Sequence, residues 1–304
     1  MAEALIVGCG YTGVRLGRRL ASGGHRVVGT TRSRDRVPEL RAAGIDARLL
    51  ELGEPGAARA LGRESPDVVF YLAPPIGEDP GAEIEAVLRV LGRAPLEAFV
   101  YASSTSVYGD RGGEVVDAST LPRPDSPAGR ARLATERRVL QAGWTFDARP
   151  RIARIGGIYG PGRTLREAIR EGRYRAVEGV EAWSNRIHVD DLVEGLVAVW
   201  RRGENGRIYD LVDDEPHLSD AFARFVAERS GLELRTLTLE EARAAYGPDR
   251  LARKLGSKRV SNRRMREELG VELRYPTYRE GVPAALDGAG RDAEAREDRV
   301  DDGA

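Results

Sequence analysis

Residues 8–13 read Gly-Cys-Gly-Tyr-Thr-Gly and follow directly on the apolar run Leu5-Ile6-Val7. A strand that runs through such a loop into a helix makes a site for phosphate. One glycine permits the tight turn, a second lets the backbone approach a pyrophosphate, and a third lets the helix pack close to the strand. The helix then offers unpaired amides and the positive end of its dipole to the anion. Gly8, Gly10 and Gly13 fill these roles, with Tyr11 and Thr12 between them. Helical spacing over residues 14–21 and a second apolar run at 26–30 complete a β-α-β unit, which makes the motif far more specific than its glycines alone. The chemistry it predicts is dinucleotide binding.

The end of the second strand bears on which dinucleotide. Sites for NAD commonly carry an acidic residue there to hold the ribose hydroxyls. This chain has Gly29-Thr30-Thr31-Arg32-Ser33-Arg34, and its first carboxylate is Asp35. A hydroxyl at Thr31 and a guanidinium at Arg32 suit a 2′-phosphate, which a guanidinium can grip through two hydrogen bonds. The expected cofactor is therefore NADP rather than NAD. Against this stands the plainer reading that Arg32 and Arg34 are ordinary surface residues: of the 48 basic residues, only Lys254 and Lys258 are not arginines.

These residues need a frame to position them. Apolar runs at 5–8, 26–30, 45–50, 68–73, 99–103 and 152–155 alternate with helical patterns such as 14–21 and 130–141. Continuous Val/Ile/Leu/Phe runs indicate strands buried on both faces, and the alternation predicts an α/β fold, a doubly wound parallel sheet of Rossmann type with a smaller C-terminal lid. A helix at 190–201 and a strand at 207–212 read as a return to that sheet, and a short helix is expected near 165–170. The expected division is a dinucleotide domain of residues 1–157 and 187–213, a substrate-side lid of 158–186 and 214–286, and a disordered tail over 287–304, which is acidic and almost without apolar residues.

Composition narrows the function further. The 48 basic and 48 acidic residues balance, which argues against a nucleic-acid or membrane footprint, and no signal-like start or membrane-spanning run is present. One cysteine and three scattered histidines leave no disulfide framework and no zinc site. A cytoplasmic protein acting on a small molecule is expected, with homodimerisation left open.

Beyond residue 60, further blocks appear in order: Asp67-Val-Val-Phe-Tyr-Leu-Ala73, Ala102-Ser-Ser-Thr-Ser-Val-Tyr-Gly109, Gly157-Ile-Tyr-Gly-Pro-Gly162 and Arg186-Ile-His-Val-Asp-Asp-Leu192. With the glycine loop, they make the chain resemble the extended short-chain dehydrogenase/reductase superfamily, the group of NAD(P)-dependent epimerases and dehydratases, from about residue 4 to residue 286. The resemblance implies a serine beside the nicotinamide, at Ser104, and cofactor contacts from Ala73 and from a helix carrying Tyr-x-x-x-Lys. On that helix the family's Ser-Pro-Tyr-Gly-x-Ser-Lys-x-x-x-Glu falls on Ser126-Pro-Ala-Gly-Arg-Ala-Arg132-Leu-Ala-Thr-Glu136. Ala128 therefore replaces the tyrosine and Arg132 the lysine. Arg132 can still reach a ribose, but its guanidinium stays charged and is no tuned amine. The family's spacing is usually Gly-x-x-Gly-x-x-Gly, where Val7 stands in the first place here. Ser184 stands where an arginine commonly binds a substrate diphosphate, with Arg186 nearby.

The remaining candidates have simple readings. Asp190 or Asp191 is expected to cap the following helix, Tyr108 and Tyr159 to be packing aromatics, and Cys9 to be a small filler. The basic run 258–264 is expected to be a solvated face. The resulting expectation is an atypical NAD(P)-dependent epimerase/dehydratase-like oxidoreductase for a small polar, sugar-like substrate, with Ser104 as its one surviving catalytic residue. The alternative is a non-catalytic NADP(H)-binding sensor.

Overall fold

The computed structural model describes residues 1–54, 56–91 and 96–288. Seven strands form one sheet: β1 (Glu3–Val7), β2 (Arg26–Thr31), β3 (Asp46–Leu49), β4 (Val68–Tyr71), β5 (Ala98–Ser104), β6 (Pro150–Ile155) and β7 (Ile208–Leu211). Their order is β7-β6-β5-β4-β1-β2-β3 and every pairing is parallel. The chain winds outward through β2 and β3, then returns past β1 to β4. A crevice opens where the winding reverses, outside the carboxyl ends of β1 and β4, and ligands bind such crevices.

The apolar runs become central strands because helices cover both faces. On one side, α1 (Tyr11–Ser22) and a later helix (Val189–Arg202) bury Leu16, Leu20, Leu192 and Leu196 against Ile6, Val100 and Ala153. On the other, helices at Ala82–Leu91 and Pro127–Phe146 bury Ile84, Val87 and Val139 against Val69, Phe99 and Tyr101. Alternation along β5 shows the logic: Ala98, Val100 and Ala102 face the first layer, Phe99 and Tyr101 the second. Each fully buried large side chain contributes about 1.5–3 kcal/mol. Between β1 and β4 lie short helices at Val37–Ala42 and Ala57–Leu61, and the former closes the β2–β3 crossover.

After β6 the chain leaves the sheet, as its glycine- and proline-rich loop indicates. It forms a short parallel pair, Gly157–Tyr159 with Arg186–His188, and returns through Val189–Arg202 to β7. A separate core gathers outside the sheet from Tyr159, Ile169, Phe222, Val226, Tyr278 and Val282. Residues 278–288 are helical, so Asp287 and Gly288, expected to begin a disordered tail, lie in a helix instead. Val282, Ala285 and Leu286 bury this helix against neighbours, which the acidic composition further on hides. Residues 289–304 lie outside the described residues. No helix among the described residues is long and apolar enough to cross a membrane.

Candidate functional site

The glycine loop takes the shape its spacing demands. Gly8 has φ +96°, and a Cβ there would stand 2.9 Å from the backbone nitrogen of Ala73. Only glycine lets β1 turn this close to the end of β4. A Cβ on Gly13 would meet the Gly8 carbonyl oxygen at 2.8 Å, so the third glycine brings α1 against the loop. Gly10 differs: it is the N-cap of α1, with no side-chain cap, and a Cβ there would meet nothing within 4 Å. The space directly over Gly10, at the first turn of α1, is therefore open. The loop is pinned from behind, where the Gly8 amide donates to Thr30 Oγ1 (2.9 Å) and the Cys9 amide to the Thr30 carbonyl (2.8 Å).

In front of the loop lies a cavity of about 360 Å³. Of the expected cofactor residues, Gly8, Gly10, Thr31, Arg32 and Ala73 line it. Leu50, Leu52, Leu72, Pro74 and Ile76 give it apolar walls, and Glu51 adds one carboxylate. The sequence reading missed Arg36. It lines the same cavity, and its Nη1 donates to the Cys9 carbonyl (2.7 Å) while its guanidinium pairs with Glu39 (3.0 Å). Two guanidiniums thus stand at the end of β2. The signal was the repeat of arginine at 32, 34 and 36, of which Arg34 does not line the cavity.

Tyr11 and Arg132 lie away from that cavity. Tyr11 turns its hydroxyl to the Pro161 carbonyl (3.0 Å), tying α1 to the loop after β6, and Arg15 lies over its ring at 4.0 Å. Thr12 follows it in the first turn of α1. Arg132 Nη1 donates to the Ala102 carbonyl (2.6 Å) and to the Tyr101 hydroxyl (3.3 Å). Tyr101 is fully buried, and burial raises its pKa while the Arg132 charge opposes that rise. Ala128, one turn earlier, is exposed.

Ser104 ends β5 and caps a single helical turn, Thr105–Tyr108, its Oγ accepting from the Ser106 amide (3.1 Å). A buried ionic network holds that strand end. Ser103 Oγ donates to Glu136 (2.5 Å), and Arg154 binds the same carboxylate through Nε (3.0 Å) and Nη2 (2.8 Å). The Arg154 guanidinium lies 4.9 Å from the Tyr108 ring centre, and the Tyr108 hydroxyl donates to Asp210 (2.8 and 3.0 Å). Burial pushes the Asp210 carboxyl up to about 7 and the Tyr108 phenol far above its usual range. Tyr159 is likewise buried, its hydroxyl reaching the Thr277 carbonyl (3.4 Å). Both tyrosines are packing aromatics, and neither phenol is tuned toward neutral pH.

The helix cap expected at Asp190 or Asp191 is instead His188, whose Nδ1 accepts from the Asp190 amide (3.2 Å). Accepting at Nδ1 places the neutral ring's proton on Nε2. Burial lowers the pKa to about 4, Asp190 opposing, so the ring is neutral near pH 7. Asp191 is released from capping to hold a distant segment, accepting from the Arg274 and Tyr275 amides (2.8 and 2.9 Å). Cys9 is a filler: it is buried against Gly29, and burial raises its thiol to about 12.

Residues 4–211 match the model of the NAD dependent epimerase/dehydratase family. The Escherichia coli (strain K12) protein YeeZ is 27% identical over 292 residues, 91% of this chain and 97% of its own length. The 4-hydroxy-2-methyl-3-oxo-4-farnesyl-3,4-dihydroquinoline-1-oxide ketoreductase of Stigmatella aurantiaca is 28% identical over 266 residues, 78% of this chain and 76% of its own. A conserved protein of unknown function from Silicibacter pomeroyi DSS has a solved structure that superposes with a TM-score of 0.80 at 32% identity, covering 95% of this chain and 99% of that one.

Proposed function

This chain belongs to the NAD dependent epimerase/dehydratase family, and from that premise we propose that it is an NADP(H)-dependent oxidoreductase acting on a small polar substrate. A nicotinamide dinucleotide is the cofactor class of the family. The observation that carries the finer reading is the end of β2, where Thr31, Arg32 and Arg36 line the cleft beside the loop. The residues fit the group: the space over Gly10 is open to a pyrophosphate, and the apolar slot beside Leu50, Leu72 and Ile76 suits an adenine. Bound there, the dinucleotide supplies or accepts a hydride.

Within this reading the chain's own residues divide the work. The amides of the α1 turn hold the pyrophosphate, Thr31 and Arg32 hold the 2′-phosphate, and Ala73 backs the loop. Arg132, fixed on the β5 carbonyl edge, presents its remaining donors toward the ribose. Ser104 orients and polarises the substrate oxygen, and residues 158–186 and 214–286 close over the substrate side. The relationship to a ketoreductase supports carbonyl reduction as the reaction class.

Cofactor choice is directly measurable. NADPH should bind at least about tenfold more tightly than NADH, a difference of about 1.4 kcal/mol. Arg32→Glu should erase or reverse that preference. Calorimetric titrations in which wild-type protein binds NADH as well as NADPH would overturn the assignment.

The chemical step has its own test. With a reducible carbonyl substrate, Ser104→Ala should lower kcat by about 10–100-fold, because a hydroxyl that only orients and polarises contributes less than a full general acid. NADPH affinity should hold. Arg132→Ala should show the reverse balance. Equal turnover by wild type and Ser104→Ala would remove Ser104 from the chemistry.

One observation favours a second reading, a non-catalytic NADP(H) sensor: the helix position that normally supplies a proton is the exposed methyl of Ala128. Stereospecific exchange of the NADPH hydride with a substrate would exclude the sensor.

A further inference from the structure

A second cavity, of about 420 Å³, shares no residue with the dinucleotide cleft. Its walls include Val115, Trp183, Asp213, Arg259, Val260 and Asn262. Val260 also belongs to the small core of Val107, Tyr108, Val116 and Val212 that supports the turn following Ser104. The cavity is thus built on the same structural unit as the proposed reaction centre while sharing no lining residue with the cavity at the glycine loop.

Asp213 is the feature of this cavity that packing does not explain. It sits just beyond β7, held there by its amide, which donates to the Arg186 carbonyl (2.7 Å). The residue is 2% exposed, and the Glu215 amide approaches its carboxyl without forming a hydrogen bond of ordinary geometry, which leaves both oxygens with unused acceptor capacity. Burial pushes the carboxyl up to about 8, against the opposing charge of Arg186. Leaving such an acceptor unsatisfied costs about 1–3 kcal/mol, so a ligand that brings a donor recovers that energy.

The other walls describe the ligand. Trp183 offers an aromatic surface, and the Arg259 guanidinium lies 5.3 Å from its ring centre while donating through Nε to the Gly113 carbonyl (2.7 Å). Val115 is an apolar lip, 63% exposed, and such a side chain is available to cover a ligand. Two carboxyls, Asp213 and Asp214, line the cavity against the single cation Arg259. The Asp213 carboxyl is largely neutral near pH 7 and becomes an ionised acceptor when a cationic nitrogen donor reaches it, whereas a phosphate would meet Asp213 and Asp214 with Arg259 alone among the lining residues to offset them.

We infer that this cavity is a binding site for a flat, nitrogen-bearing ligand of amine or amidine type, which donates to Asp213 and lies against Trp183 and Val115. The cavity is lined largely by residues on the proposed substrate side, and its binding step can be tested without cofactor.

Benzamidine is a suitable probe and benzoate, of the same shape and opposite charge, its control. The chain has three tryptophans, Trp144, Trp183 and Trp200, whose indole N–H signals separate by NMR. Benzamidine should shift the Trp183 signal, assigned through Trp183→Phe, and leave the other two in place, while benzoate should shift none. Asp213→Asn should weaken benzamidine at least tenfold with NADPH binding retained. If that variant fails to fold, Trp183→Leu, followed by ligand-observed saturation transfer, should give the same tenfold loss. Equal binding of benzoate and benzamidine, or undiminished benzamidine binding by a folded Asp213→Asn or Trp183→Leu protein, would overturn the proposal.

Discussion

A Gly10→Val protein is expected to fold with at most a small fall in Tm and to bind NADPH at least a hundredfold more weakly, a loss of about 2.7 kcal/mol. The two halves of that result have separate causes. Gly10 has φ −82° and ψ −153°, extended backbone that any residue adopts, and an added Cβ meets no atom within 4 Å. Valine is a poorer N-cap than glycine by a small amount, but no packed atom opposes its Cβ. The same empty space is where a pyrophosphate must approach the amides at the start of α1, so the side chain excludes the ligand alone. Gly8→Val makes the control. There φ is +96° and the new Cβ collides with Ala73, so this variant should lose stability as well as binding. Calorimetric titration beside thermal unfolding distinguishes them. Wild-type NADPH affinity in a folded Gly10→Val protein would mean that the cleft serves another ligand.

The second large effect is structural. Glu136→Ala should destabilise the fold by about 3–5 kcal/mol, because it strands a buried guanidinium. Both side chains of the Glu136–Arg154 pair are 2% exposed, and Glu136 also accepts from Ser103. Removing the carboxylate takes three hydrogen bonds from groups that water cannot reach. The double change Glu136→Leu with Arg154→Met should cost much less than either single truncation, since it removes both charges together and fills the space with apolar atoms. Urea unfolding of the single and double variants measures the coupling. A Glu136→Ala protein within about 1 kcal/mol of wild type would show that the network is inessential. Because Ser103 precedes Ser104, partial loosening of this network should also blur the placement of the Ser104 hydroxyl.

Much of this molecule was legible before folding because its signals are local. The run Leu5–Gly13 carries its own turn, helix start and packing glycine within one stretch, and the structure supplies each of them. The return to the sheet, expected at 190–201 and 207–212, appears as Val189–Arg202 and β7, since a helical period followed by a short, largely apolar run reads directly. The replacement of the usual acid–base pair was equally plain, because Ala128 lacks a proton donor in any fold.

Other features depended on what distant segments bring. His188 became a helix cap because its own ring, packed against Tyr159 and Tyr275, can accept from the Asp190 amide. That freed Asp191 to grip Arg274 and Tyr275 across 83 and 84 positions of sequence. Arg36 joined the cavity at the glycine loop only once the turn after β2 laid it against the Cys9 carbonyl. Asp213, an unremarkable acid between Val212 and Asp214, acquired its character from burial beside Arg186 and Trp183. The sequence alone thus determined the dinucleotide loop, the parallel sheet and the missing acid–base pair, since backbone conformation and side-chain period are set by neighbouring residues. Tertiary structure decided which carboxyls are solvated, which ring nitrogen holds its proton and which guanidiniums line the cavity at the glycine loop. Those properties depend on desolvation and on charges only ångströms away, which residues far apart in the chain supply only when the fold brings them together.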